Sequence, residues 1–163
     1  MSFFDIPSGK SGPDGAAGKA APGGPAARAP VVFLQGVTAR EWAKLFTFAE
    51  VRTFVAGDVL VEAGGSDDAF YIMTAGSAQV LQGPTVIGQI AEGIVFGEVA
   101  FFDRLPRSAT IRALESGSAA RFSRTAFDNL AAWEPVLARR MLFELGNALA
   151  MRLRAAEQRL SAS

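Results

Sequence analysis

The sequence predicts an α+β fold: one helix near residue 40, a run of short strands forming a sandwich or small barrel, and helices again over the last forty residues. Three observations carry this reading. Thr38-Ala39-Arg40-Glu41 fits a capping box ahead of a helical apolar stripe. Between residues 51 and 123, short apolar runs are punctuated by glycine turns every eight to ten positions. After Ser123 the apolar residues return to helical spacing, and Pro135 stands where a first helical turn tolerates it.

Before the first helix lies a segment of different composition. Residues 1–30 hold six Gly, five Pro and seven Ala, and the composition changes at Val31. The expectation is a flexible Gly/Ala/Pro-rich tail over 1–30 and a folded domain over 31–163. No continuous apolar stretch of roughly 7–15 residues follows a basic start, as a secretory signal needs. Phe3-Phe4-Asp5-Ile6 reads either as a docking peptide or as an ordinary unstructured end.

The helix over 38–49 takes its stripe from Trp42, Leu45, Phe46 and Ala49, with Val37 placed to staple onto Trp42. Strands are expected over 51–55, 59–62, 69–74, 77–82, 85–90, 108–114 and 118–123. Regular short strands with glycine punctuation point to a sandwich or small barrel rather than a parallel sheet. Ser123 caps a helix containing Phe127 and Leu130. A long helix over about 135–160 follows, with Leu142, Leu149 and Ala156 on one seam position and Gly146, Leu153 and Leu160 on the other. Such a stripe serves core packing, a dimer seam or a movable lid.

Composition removes most catalytic chemistry. Cysteine and histidine are both absent, so the chain alone builds no disulfide, zinc–thiolate site, histidine-ligated metal or Ser–His–Asp triad. The expectation is a protein without metal or cofactor that is not an enzyme. Lys+Arg and Asp+Glu both number 16, which gives no global reason to seek a polyanion. No run approaches the roughly 18–20 apolar residues of a membrane span. A cytoplasmic protein is expected.

The informative stretch is 96–110, Phe96-Gly97-Glu98-Val99-Ala100 through Pro106-Arg107-Ser108-Ala109-Thr110. A strand end meets Gly97, a short helical turn follows, and Pro106-Arg107 re-enters a strand. A helix start after glycine leaves backbone N–H groups outward as anion donors. Arg107 adds a planar, permanently charged fork suited to phosphate oxygens. Glu98 repels phosphate but accepts a hydrogen bond from a sugar hydroxyl. Together they describe a nucleotide-monophosphate pocket; the plainer alternative is a structural Glu98–Arg107 salt bridge.

These segments closely resemble the phosphate-binding cassette of cyclic nucleotide-binding domains. The resemblance extends to Phe33-Leu34-Gln35, to Phe54 through Leu60, to Gly64 through Asp68, and to Phe70-Tyr71-Ile72 with Gly76. It implies an eight-stranded antiparallel β jelly-roll barrel with an N-terminal helix and C-terminal helices. By resemblance, Glu98 binds the ribose 2′-hydroxyl and Arg107 the cyclic phosphate. Backbone groups of Gly97, Glu98, Ser108 and Ala109 complete the cradle, and Phe96 and Val99 belong to the same cassette. In the family, Ser after the arginine goes more often with cAMP and Thr with cGMP, so Ser108 points to cAMP, with cGMP the alternative. The family caps the base with its last helix, where Arg152 is the candidate; its plainer reading is a solvated helix charge.

The expected function is a stand-alone cyclic-nucleotide sensor that signals to a protein effector through its C-terminal helix, which is also the candidate homodimer seam. The alternative is a ligand-free barrel used as an interaction scaffold. Family transcription factors continue into a helix-turn-helix, which these residues do not contain. The final helix intersperses Glu134, Glu144 and Glu157 among its arginines. No DNA partner is expected.

Overall fold

The computed structural model describes residues 33–163. The expected flexible tail over 1–30 lies outside the described residues. The described chain runs α1 (Ala39–Phe48), β1 (Glu50–Phe54), β2 (Val59–Val61), β3 (Phe70–Ala75), β4 (Ala78–Gln82), β5 (Thr85–Ile90), β6 (Val95–Phe96), α2 (Glu98–Asp103), β7 (Thr110–Ala113), β8 (Gly117–Phe122), α3 (Arg124–Trp133) and α4 (Pro135–Ser161).

Local chemistry sets the helix ends. At α1 the Thr38 N–H donates to Glu41 Oε2 at 2.8 Å, and the Glu41 N–H donates to Thr38 Oγ1 at 3.3 Å, completing the capping box. Ser123 caps α3 by accepting from the Ala126 N–H at 3.1 Å. Glu134 ends α3 and Pro135 opens α4 at a position that has no helical N–H partner to lose.

The eight strands form two four-stranded antiparallel sheets, ordered β1-β8-β3-β6 and β2-β7-β4-β5. No strand pairing joins the sheets among the described residues, so the expected barrel is corrected to two open sheets. The edge strands, β1 and β6 in one sheet and β2 and β5 in the other, pair only within their own sheet, and the sheets meet instead through side chains of the core between them. The sequence marks the residues before Gly97 only as a strand end. Val95–Phe96 is a strand of its own, paired to Ile72 and Tyr71.

In the first sheet β3 and β8 are buried on both faces, while β1 is exposed up to Phe54. Phe70 and Ile72 of β3, with Phe122 of β8, pack under the helices beside Leu45, Phe101, Leu130, Met141 and Leu145. Tyr71 and Met73 point the other way, joining Phe54, Phe96, Ile111 and Ala119 between the sheets. Alternation along β3 therefore separates two cores, because successive side chains leave a strand on opposite faces. Gly117 marks the tightest crossing: a Cβ there would stand 2.1 Å from the Ala75 carbonyl oxygen.

The long helix departs from its expected seam. The stripe that α4 buries is Leu137, Ala138, Met141 and Leu145, whereas Leu142, Gly146, Leu153 and Leu160 face outward. Heptad counting selected the neighbouring stripe because leucines occupy both, and only docking on the first sheet distinguishes them. Truncation separates the two faces. Met141→Ala should cost about 2–5 kcal/mol through an unfilled core volume, and Leu142→Ala less than about 1 kcal/mol, read from denaturant midpoints. Equal costs would mean that both stripes are packed.

Candidate functional site

A cavity of about 510 Å³ opens between the second sheet, the 97–109 segment and α4. Phe96, Gly97, Glu98, Val99, Arg107, Ser108 and Ala109 all line it, and so does Arg152 from α4. The residues singled out in the sequence thus converge on one place.

The geometry begins at Gly97. Its φ of +77° turns the chain sharply from β6 into α2, a conformation that costs glycine little. A Cβ at this position would lie 2.9 Å from Arg107 Nη1 and 3.2 Å from the Ala69 carbonyl oxygen, so glycine is also demanded by space. Arg104 closes α2 with φ +58°, its N–H donating to the Ala100 carbonyl at 3.0 Å. The returning chain is then pinned to the turn before β3. The Arg107 N–H donates to the Gly65 carbonyl at 2.9 Å, and the Gly64 N–H donates to the Arg107 carbonyl at 2.8 Å.

Arg107 is 6% exposed. Its Nη1 donates to the Gly97 carbonyl at 2.6 Å, and its Nη2 donates to the Ala69 carbonyl at 2.6 Å and to Asp67 Oδ2 at 3.3 Å. Nε is buried and has no hydrogen-bond partner. Glu98 is 1% exposed. Its Oε1 accepts from Arg152 Nη1, while the buried Oε2 has no partner. The second Arg152 nitrogen, Nη2, donates to the Val95 carbonyl. The possible Glu98–Arg107 salt bridge is therefore replaced by two separate pairs, Glu98 with Arg152 and Arg107 with Asp67. Arg152 is not simply a solvated helix charge, because it reaches across to two acceptors that flank Gly97.

Sequence reasoning missed the group that holds Arg107. Asp67 accepts from the Tyr71 hydroxyl at 2.7 Å and from Arg121 Nη2 at 2.6 Å, and Arg121 also donates to Glu50 at 3.3 Å. Burial alone would raise the Asp67 carboxyl. Hydrogen bonds from Arg121 and Tyr71 and the charges of Arg121 and Arg107 outweigh it and bring the group from 3.8 down to about 2. Tyr71 is raised, by burial first and by its bond to Asp67 second. Asp67 lies in a glycine-rich turn, where an acidic residue reads as turn chemistry, and its partners are 4, 40 and 54 positions away. The apolar wall of the cavity, Val61, Val80, Ile87 and Ile111, likewise carries no signal in the sequence beyond that of strand residues.

Residues 51–132 match the family model for the cyclic nucleotide-binding domain. A cAMP-dependent protein kinase regulatory subunit from Debaryomyces hansenii is 33% identical over 101 residues, covering 61% of this chain and 22% of that protein. The chain thus spans about a fifth of the length of that relative. Among solved structures, a cyclic nucleotide-binding domain from Methylobacillus flagellatus superposes with a TM-score of 0.69 at 24% identity, covering 81% of this chain and 78% of the other. The Thermus thermophilus catabolite activator protein gives 0.68 at 22%, covering 78% and 61%. These two likenesses establish the fold, α+β with antiparallel jelly-roll sheets and flanking helices.

The Asp67 cluster should leave a mark on acid stability. A carboxyl lowered on folding stabilises the fold above its unfolded value, and that contribution drains as pH falls from about 4 through about 2. Asp67→Asn should lower the melting temperature at neutral pH and flatten the pH dependence across that window. Wild type and variant profiles that run parallel down to about pH 2 would remove Asp67 as a source of acid sensitivity.

Proposed function

Because the chain belongs to the cyclic nucleotide-binding domain family, we propose that it binds a cyclic nucleotide, cAMP in preference to cGMP, and reports occupancy to a protein partner through α4. One observation carries the ligand reading. Two buried polar atoms without partners, the Arg107 Nε–H donor and the Glu98 Oε2 acceptor, belong to residues lining the same cavity. Folded proteins leave few such atoms unpaired, so each points to a missing partner. A cyclic phosphate supplies the acceptor and a ribose 2′-hydroxyl the donor. The apolar wall of Val61, Val80 and Ile111 suits the remaining sugar and base surface.

Ser108 beside Arg107 favours cAMP, as does the similarity to the cAMP-dependent protein kinase regulatory subunit of Debaryomyces hansenii. The protein acts by binding rather than by catalysis, in keeping with a chain that lacks cysteine and histidine. Its place is the cytoplasm; no helix of the described residues is long and apolar enough to cross a membrane. Transmission falls to α4, which reaches the cavity through Arg152, Ala155 and Arg159. The outward face of α4 exposes Leu142, Phe143, Leu153 and Leu160, which favours a homodimer through this helix. The effector in this reading is a protein and not DNA, in keeping with the balanced charge.

Thermal denaturation tests the ligand. At a hundred times its dissociation constant, cAMP should stabilise the fold by about 2.7 kcal/mol. No shift with either cAMP or cGMP would leave the ligand-free scaffold as the better reading. Arg107→Lys keeps a charge and loses the fork, and should weaken cAMP binding by about 2 kcal/mol or more while circular dichroism stays native. Calorimetry showing wild-type affinity in that variant would remove Arg107 from the phosphate site. For the homodimer, Leu153→Glu should shift sedimentation of the ligand-bound protein to monomer; a wild type that is monomeric with and without cAMP defeats the dimer.

A further inference from the structure

Arg107 meets a carboxylate before any ligand arrives, and an ion pair presents little net charge to a third ion. Asp67, held down to about 2, is fully charged at neutral pH. Its three side-chain bonds are unequal. Arg121 Nη2 donates to Oδ1 at 2.6 Å and the Tyr71 hydroxyl to Oδ2 at 2.7 Å, whereas Arg107 Nη2 reaches Oδ2 only at 3.3 Å. Arg107 is held at shorter range by the Gly97 and Ala69 carbonyls, both at 2.6 Å. The carboxylate therefore belongs chiefly to Arg121.

Strand register puts Arg121 in that place. Glu50 of β1 pairs with Arg121 of β8, Arg121 with Tyr71 of β3, and Tyr71 with Phe96 of β6, so one row crosses the whole first sheet and ends beside Gly97. The Arg121 side chain is 20% exposed, and its other anion, Glu50, is more than half exposed and shared with Arg52. Solvent weakens that second pair and leaves Asp67 as the main partner of Arg121. Two guanidiniums thus share the Asp67 carboxylate, and one positive charge is left over beside the cavity. We infer that Arg121 is a positioning residue for anion recognition: by taking up the Asp67 carboxylate from the far side, it keeps Arg107 from being neutralised and leaves its charge and its Nε–H to a phosphate in the cavity. Resting on the cyclic-nucleotide reading, this role gives Asp67 two opposed effects. With Arg121 present it anchors Arg107, and without Arg121 it quenches it. A contact that served only to hold the fold would not make the loss of Arg121 repairable by removing Asp67.

Calorimetry of cAMP binding to the full chain tests this. Arg121→Gln should weaken binding about 5–20-fold, and Arg121→Lys should retain most of the affinity. Adding Asp67→Asn to Arg121→Gln should recover most of the loss, even though the double variant melts lower than wild type. Arg121→Met, which keeps the stem, serves in the same comparison if Arg121→Gln does not fold. Wild-type affinity in Arg121→Gln would overturn the inference. A loss that the double variant leaves in place or deepens would also overturn it, and would make Arg121 a cross-strand structural contact. Failure of both cAMP and cGMP to bind wild type would instead defeat the cyclic-nucleotide reading. The Arg107 Nε–H then reports on the charge directly, through its NMR resonance during titration with inorganic phosphate. It should shift in wild type at lower phosphate than in Arg121→Gln, with the double variant again near wild type. A resonance that ignores phosphate in wild type, or responds equally in wild type and Arg121→Gln, would overturn the role of Arg121 without any nucleotide.

Discussion

The burial of Arg107 is the constraint on which the cavity depends. A guanidinium taken out of water must find acceptors for its donors, and this one collects the Ala69 carbonyl ahead of β3, the Gly97 carbonyl at the start of α2, and Asp67. Those acceptors belong to separate stretches of chain, so satisfying one side chain fixes their relative positions. Gly97 follows from the same requirement, since any Cβ there would collide with the guanidinium. Tyr71 and Arg121 in turn hold Asp67, and through it orient Arg107 from β3 and β8. Nε–H is the donor left over, and it is left in a residue that lines the cavity.

The two cores divide the work of supporting this arrangement. Between the sheets, the Tyr71 ring stacks on Phe96 at 5.0 Å, one residue ahead of Gly97, so the entry to α2 is held by packing as well as by hydrogen bonds. On the helix side, Phe101 of α2 meets Phe70 at 4.9 Å and Phe127 at 5.5 Å, and Arg124 lies over its ring while donating to its carbonyl. The short helix of the cassette, too short to stand alone, is thus anchored by one aromatic residue in the main core.

Helix α4 is built in two halves. From Leu137 to Leu145 it is part of the core, and past that point it touches the rest of the domain chiefly through partly buried positions and the polar reach of Arg152. Local stability follows buried contact, so the second half is the part whose docking a small free energy can shift. The cavity borders that half and not the first, through Arg152, Ala155 and Arg159.

Local chemistry along the chain decides the caps at Thr38 and Ser123, Pro135 at the head of α4, the glycine-punctuated strands, and a cassette whose glycine, glutamate and arginine lie within eleven residues. These readings need only neighbours in the chain; the cassette residues beyond Gly97, Glu98 and Arg107 were added by the family resemblance, and all seven line one cavity. Three things needed the folded chain. The strands form two open sheets rather than a closed barrel, because closure depends on which strands meet. The core stripe of α4 is Met141 and Leu145 rather than Leu142 and Leu149, because leucines on adjacent faces look alike until one face docks. The ion pairs are Asp67–Arg107 and Glu98–Arg152 rather than Glu98–Arg107, because a charge takes its partner by distance in space, and these partners are 40 and 54 residues apart along the chain.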